Sequence, residues 1–308
     1  MSNPKKHHYV PQFYLRNFGY VDDKNKVPTI SRSNPYLIKK KSAISRIGYE
    51  DYLYRVTEEA VHQCIESHLN HSVETPISQS RTWEKINEGK PELLNEGDKF
   101  LIYIFMRHLE SRNLEILDFI QYDQARVKDP RYQEEYSAEE VLMYDEIRNT
   151  PEGIKKYFLG MAGSIDQYLE EYGRASISIL GSNIPIRTST NPVINVPMHT
   201  FKGERYNHRE TTKWLPLGKN FGAMLSLNDN YFGFGGFEMI ENSAMRTLNR
   251  LYLVQLLNSR TTRHMIADDD YINDDLTWAG VKVEKNNGNK FRCPRYIILG
   301  LEFILTIT

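Results

Sequence analysis

Apolar positions recur at helical spacing through the middle of the chain and at strand spacing on either side of it. Residues 57–88 read as one helix, with Thr57 as N-cap and Ile65, Leu69 and Val73 on one face. Residues 95–123 give the clearest helical pattern, and its stretch "FLIYIFM" (100–106) is apolar on every side, as in a helix surrounded by protein. Ser137 and Glu140 of "SAEE" form a capping-box pattern, and Thr150–Pro151 opens a helix that runs to the stop signal at Gly173. Before this helical middle, "VPTIS" and "DYLYRV" are strand-like, and the basic run Lys39–Lys41 reads as a solvated loop. After it, "SISIL", "IPIRT", "KWLPLG" and "AMLSL" are short β-type runs divided by Asn, Pro and Gly. "FGFGGF" (232–237) reads as a turn before a helix over 240–260. The closing "YIILGLEFILTIT" reads as a last strand or a short buried segment, and as a sticky edge or partner surface if the fold leaves it open.

The order of elements predicts an α+β fold with a helix-rich middle and a small mixed or antiparallel sheet. No Pro/Gly/Ser-rich linker divides residues 1–308, so a single domain is expected. Its parts are an N-terminal αβ segment (1–56), a helical middle (57–173), and a β section with a closing helix (174–308). Lys and Arg number 39 against 40 Asp and Glu, which argues against a wholesale electrostatic grip on nucleic acid and makes any phosphate binding local. Two distant cysteines, Cys64 and Cys293, exclude a disulfide framework and fit a reducing cytoplasm. The first residues lack the apolar run of a secretory signal, and no stretch approaches the roughly 20 apolar residues of a membrane helix.

Three segments carry candidate chemistry. In "KKHHYVPQFYLRNFG" (5–19), Pro11 is pre-set for a first helical position and Gly19 for a stop. Pro11, Tyr14, Leu15 and Phe18 share one face of that short helix, and Gln12 and Arg16 share another. His7 and His8 precede its N-terminus, where a histidine is pushed toward the neutral form that accepts a proton or binds a metal. In "FMRHLESRN" (105–113), Arg107, Glu110 and Ser111 cluster around a stripe with Phe100, Ile104 and Leu114. That placement makes Arg107–Glu110 either a buried ion pair or the wall of an anion pocket, with Arg112 pointing elsewhere. In "RTSTNPV" (187–193), Pro192 biases Asn191 away from helix, so the segment ends a strand in a polar turn. His68, His71 and Glu74 have a spacing metal sites can use, but they fall opposite the apolar face and read as solvated. The acidic run "DDDYINDD" lacks the glycine and closing glutamate of a calcium loop. "RTTRH" (260–264) is one residue short of the arginine–histidine spacing of small helical ribonucleases and is set aside.

Together, "HHYVPQFYLRNF", "RHLESR", "RTSTNPV" and "MRTLNRLYLVQLLNSR" resemble the bacterial domain of unknown function 4238 family. The resemblance puts Asn249 at a recurrent asparagine position, and Thr190 where that family commonly shows an aspartate. It implies a sporadically distributed bacterial accessory protein, in some cases in a defence setting. The leading expectation is an enzyme acting on RNA or a nucleotide without metal or other cofactor. His7, His8 and Glu110 supply the chemistry, and Gln12, Arg16, Arg107, Ser189, Asn191 and Asn249 hold the substrate. Two alternatives stand beside it. One is a non-catalytic module whose polar residues fix the fold while the apolar C-terminus binds a partner protein; the other is a metal-dependent nuclease using the histidines with Glu110.

Overall fold

A computed structural model describes residues 6–33, 36–53, 69–127, 129–131, 136–147, 151–163, 166–196, 211–227, 233–283 and 290–292. The proposed N-cap Thr57, the positions Ile65 and His68, Thr150 and the apolar C-terminal segment lie outside these residues.

The strands in chain order are β1 (Lys6–His8), β2 (Lys26–Ser33), β3 (Tyr36–Ala43), β4 (Tyr49–Asp51), β5 (Ala175–Gly181), β6 (Thr188–Ser189), β7 (Ile194–Val196), β8 (Thr211–Pro216), β9 (Phe221–Leu227), β10 (Gly233–Met239), β11 (His264–Ile266), β12 (Lys282–Val283) and β13 (Lys290–Arg292). They form three sheets in one compact α+β unit: a ribbon β1-β4, a mixed sheet β10-β5-β9-β8-β7, and an antiparallel sheet β12-β13-β3-β2-β11-β6. The helix of residues Asn242–Asn258 agrees with the expected closing helix, but it does not end the fold. The chain returns through β11, which lies between β2 and β6 and so ties the N-terminal hairpin to the "RTSTNPV" segment.

Several elements differ from their sequence pattern. Lys39–Lys41 is not a loop but lies in β3, paired along its length with β2. "FGFGGF" is not a turn: it supplies β10, which runs parallel to β5. Its glycines serve close approach, since a Cβ on Gly235 would stand 2.2 Å from Ser178 Oγ, at a register shift between Phe234 and Gly236. The 95–123 pattern is two helices, Glu96–Ser111 and Leu114–Val127. Asn113 breaks it by accepting a hydrogen bond from the Glu115 N–H at 3.0 Å. Within the 57–88 pattern, the described part is a π-turn Asn70–Glu74, a single helical turn Thr75–Ser78, and a helix Arg81–Asn87 capped by Ser80 Oγ on the Trp83 N–H. The pattern ending at Gly173 resolves into Pro151–Gly163 and Asp166–Tyr172.

Two apolar clusters make the core. One gathers the aromatic face of the N-terminal segment (Tyr14, Leu15, Phe18) with Trp83, Phe105 and β5; the other packs the Asn242–Asn258 helix against Ile30, Trp214 and Met265. Phe13, Trp83 and Phe105 meet edge-on or tilted at 4.8–5.6 Å. Phe100 departs from the all-round burial expected of "FLIYIFM": it is 44% exposed, its ring 5.1 Å from Tyr172. No described helix is long and apolar enough to cross a membrane.

Candidate functional site: a basic cleft beside a buried polar belt

The N-terminal histidines belong to a strand rather than to the approach of a helix. β1 pairs with β4 so that His7 faces Glu50 and His8 faces Tyr49. Gly48, at φ +64°, makes the turn possible: its carbonyl accepts from both the Tyr9 and Val10 N–H groups, and a Cβ there would stand 2.8 Å from that of Val10. Alternation along β1 then buries His7 and leaves His8 half-buried. The following helix is a single turn, Gln12–Leu15, with Pro11 as its extended N-cap, so its dipole is too small to set the state of the histidines. Burial lowers the His8 pKa instead; Glu74 opposes the shift, while Arg112 and Lys6 add to it.

Behind His8 lies a belt of buried polar groups. Arg112, expected to point away, is fully buried and is the centre of this belt. Its guanidinium donates to Glu74 Oε1 and to the His8 carbonyl, and it lies 2.9 Å from His108 Nε2. Glu74 is therefore not on a solvated face: it closes an ion pair across 38 residues of sequence. Desolvation pushes its carboxyl up, but Arg112 and His108 together hold it below the usual carboxylate range.

The next residue, Asn113, donates to Asn191 Oδ1, and Asn191 Nδ2 donates to Glu115. Burial raises the Glu115 pKa against that hydrogen bond. Ser189 Oγ accepts from the Asn191 N–H at 2.9 Å and lies 2.7 Å from Gln255 Oε1. Thr188 meets the buried Tyr14 hydroxyl at 2.7 Å. Asn249 accepts from the Arg187 N–H at 2.8 Å and donates to the Pro185 carbonyl at 2.9 Å, which holds the strand entering the motif. Arg187 itself grips Asp269 through two bonds of 2.6 and 2.7 Å and reaches Asp275 at 2.8 Å. The run "DDDYINDD" thus supplies the anions of a buried ion cluster, which Arg246 and Arg250 complete from the Asn242–Asn258 helix.

Arg107 and Glu110 pair at 2.9 Å, as their spacing predicts. They are engaged on a different flank: Arg107 also meets Glu171 at 3.0 Å, and Glu110 takes the buried Lys213 ammonium. Arg16 is exposed and reaches only Asn25, at 3.5 Å. Gln12 Nε2 lies 3.3 Å from His8 Nε2. The structure therefore joins His8 to Gln12 and Arg112, and joins Ser189 to Asn191. It gives His8 no contact with Arg16 or Arg107.

The open space lies next to the β1–β4 ribbon, beside residues that adjoin His8. Two adjoining lobes, of about 320 and 530 Å³, share Arg46, Ile47 and His264. The smaller is lined by Tyr9, Gly48 and β4 with Arg263; the larger by Lys26, Lys40, Lys41, Ser42, Ala43 and Ser45. His8 lines neither lobe and lies behind the wall, against residues that do. It forms a hydrogen bond with the backbone of Ser45, and its ring centroid is 5.7 Å from that of Tyr49. Lys26 and Lys41 are partly neutralised by Asp23 (2.9 Å) and Asp22 (3.8 Å), and Arg263 by Glu50 (2.8 Å). Among the described residues, Lys40 and Arg46 have no acidic partner. The larger lobe thus presents a local positive surface on a chain whose net charge is −1, while in the smaller one Glu50 and Asp51 stand beside Arg46 and Arg263.

Thr190 connects the belt to the cleft. Its hydroxyl accepts from the Arg263 and His264 N–H groups at 3.2 and 3.4 Å, and its own N–H donates to the His264 carbonyl at 2.9 Å. This motif position acts here as an acceptor that fixes two cleft residues. An aspartate would supply the same acceptor, so the role requires no metal ligand. No group of three or more His, Cys, Asp or Glu with metal-site geometry occurs among the described residues.

A family model described as "Protein of unknown function (DUF4238)" matches residues 6–260. The chain belongs to this family. The match takes in β1, the belt, the motif at 187–193 and most of the cleft, and it ends just before Arg263 and His264. No curated protein and no solved structure matches the chain.

Sequence reasoning missed Lys40, Arg46, Arg263 and His264. Signals for Lys40, Arg263 and His264 were present in the Lys39–Lys41 run and in "RTTRH", but only the strand pairing β3-β2-β11 brings the two segments together; Arg46 lies in neither.

Proposed function

We propose that this protein takes a phosphate-containing ligand, a nucleotide or RNA, into the basic cleft, with His8, next to the lining residues Ser45 and Tyr49, as the proton acceptor. The observation that carries this reading is the pair of cations, Lys40 and Arg46, that have no acidic partner among the described residues and line an open volume of about 530 Å³. A cleft of this size is within the range of small-ligand sites. Guanidinium and ammonium groups free of acidic partners are the donors that phosphate oxygens select. His8 is neutral near pH 7, as a proton acceptor must be. The proposal replaces Arg16 and Arg107 with Lys40 and Arg46 as phosphate ligands, and it leaves Ser189, Asn191 and Asn249 as the framework behind the cleft. A cytoplasmic setting and a bacterial accessory or defence role belong to the same proposal.

The test is incubation of the protein with total RNA, DNA and a nucleotide pool at low salt, reading both binding and conversion. Wild type is expected to bind at least one of these. Lys40→Ala with Arg46→Ala should lose tenfold or more in affinity, and His8→Ala should retain binding but lose conversion. Absence of binding to every phosphate ligand ends the proposal.

A second reading, a non-catalytic module, is favoured by one observation: Arg112, Asn191, Ser189 and Asn249 are buried and mutually satisfied. Binding in the cleft with no conversion of any bound ligand selects that reading. The metal-dependent alternative has less support, because Glu110, which it needs beside the histidines, is engaged by Arg107 and Lys213.

A further inference from the structure

His264 is the one residue, besides Arg46 and Ile47, that lines both lobes of the cleft. Its Nδ1 is buried and has no hydrogen-bond partner among the described residues. An imidazole that borders an open volume with one ring nitrogen unpaired has hydrogen-bonding capacity that an oxygen of a ligand can take up after a small turn of the ring. We propose that His264 couples the cleft to protons: a phosphate ligand enters together with one proton, which His264 then holds. This inference rests on the cleft being a phosphate site, as proposed above.

Burial, and after it the charges facing His264, explain why the free cleft rejects the proton. Its own strand begins beside Arg263, and β3 brings Lys40 opposite through β2; the turn Ile44–Arg46 adds Arg46. Lys26 and Lys41 lie in the larger lobe, beside their partners Asp23 and Asp22. β4 contributes two carboxylates to the smaller lobe; Glu50 is committed to Arg263, and Asp51 pairs in register with Lys6. Tyr9, its hydroxyl bonded to Thr190 and its pKa pushed up to about 12, stays neutral. Burial first, then Lys40 and Arg263, depress the His264 pKa to about 4.

A phosphate among Lys40, Arg46 and His264 reverses the dominant Coulomb contribution and offers an oxygen to the imidazolium. The histidine pKa then rises on binding. By linkage, affinity grows as pH falls from the bound pKa toward the free one and is flat above the bound value. A rise of two pH units in the His264 pKa corresponds to about 100-fold in affinity across that window.

The test uses full-length protein carrying 15N-histidine, with His264→Gln assigning the resonance, titrated from pH 8 to 5 with and without inorganic tripolyphosphate. Free His264 is expected to stay neutral throughout. With tripolyphosphate bound, it should titrate with a midpoint above 6. Wild-type affinity should rise as pH falls through that midpoint, His8→Gln should preserve the rise, and His264→Gln should lose the part beyond the probe's own protonation. A His264 that stays neutral while cleft resonances report bound tripolyphosphate overturns the coupling and leaves the cleft reading intact. A pH effect lost in His8→Gln instead reassigns the proton and also overturns it. Absence of tripolyphosphate binding at any pH overturns this inference, while the proposed function stands or falls on the RNA, DNA and nucleotide assay.

Discussion

Removing Arg112 tests whether the polar belt holds the fold. The guanidinium is fully buried, and the Glu74 side chain is only 13% exposed. Arg112→Ala therefore leaves a carboxylate with little water, a His8 carbonyl without its donor, and a void where the longest side chain of the belt lay. Breaking a buried pair by deleting one partner costs about 3–5 kcal/mol, most of it from the stranded charge. With an m-value of about 3 kcal/mol/M in urea, the midpoint should fall by about 1–1.7 M. The stranded charge can be separated from lost packing by a second change. Arg112→Met with Glu74→Leu removes both ions, and it should recover at least half of the stability lost in Arg112→Ala. The assay is urea unfolding by intrinsic fluorescence with circular dichroism, because Trp83 and Trp214 are both buried and sit in different apolar clusters. Acid gives an independent check. The Glu74 pKa is lowered in the folded chain, so its contribution is fully present above the ordinary glutamate value and is lost as pH falls through the depressed one. Wild type should lose this increment in acid, and the double variant should not. A cost below about 1 kcal/mol for Arg112→Ala, or a double variant no more stable than the single, refutes the belt as a structural ion pair.

Two further perturbations address separate parts of the fold. Asn249→Ala strands the Arg187 N–H and the Pro185 carbonyl and should cost about 1–3 kcal/mol in urea unfolding. Tripolyphosphate affinity should be unchanged, and an affinity loss without a stability loss would make Asn249 a ligand contact. Gly235→Ala places a methyl group 2.2 Å from Ser178 Oγ in the β10–β5 pair and should lower stability by about 1–3 kcal/mol. Gly235→Ala with Ser178→Gly should recover most of that loss if the close strand approach is the cause.

Legibility in the sequence followed the range of the interactions. The amphipathic face Tyr14, Leu15, Phe18 was readable because burial there follows from spacing alone, and so was the i,i+3 pair Arg107–Glu110. The partner of Arg112 was not readable, because Glu74 lies on a π-turn whose extra residue shifts the face that a 3.6-residue repeat assigns to it. Lys40 read as a solvent-facing charge of the Lys39–Lys41 run, and Arg46 carried no local signal. They come to share one cleft with His264 because Thr190, from a motif about 150 residues away from Lys40, pins the backbone of Arg263 and His264 against β2. The same step explains why the most recognisable motifs are not the open surface. A buried asparagine or serine bonded to backbone groups tolerates little substitution, since any change strands a partner. A lysine in an open cleft can be moved to a neighbouring position with the phosphate still in reach. The specific signatures of this chain therefore mark what holds the cleft in shape, and the groups that meet a ligand are to be sought one strand away from them.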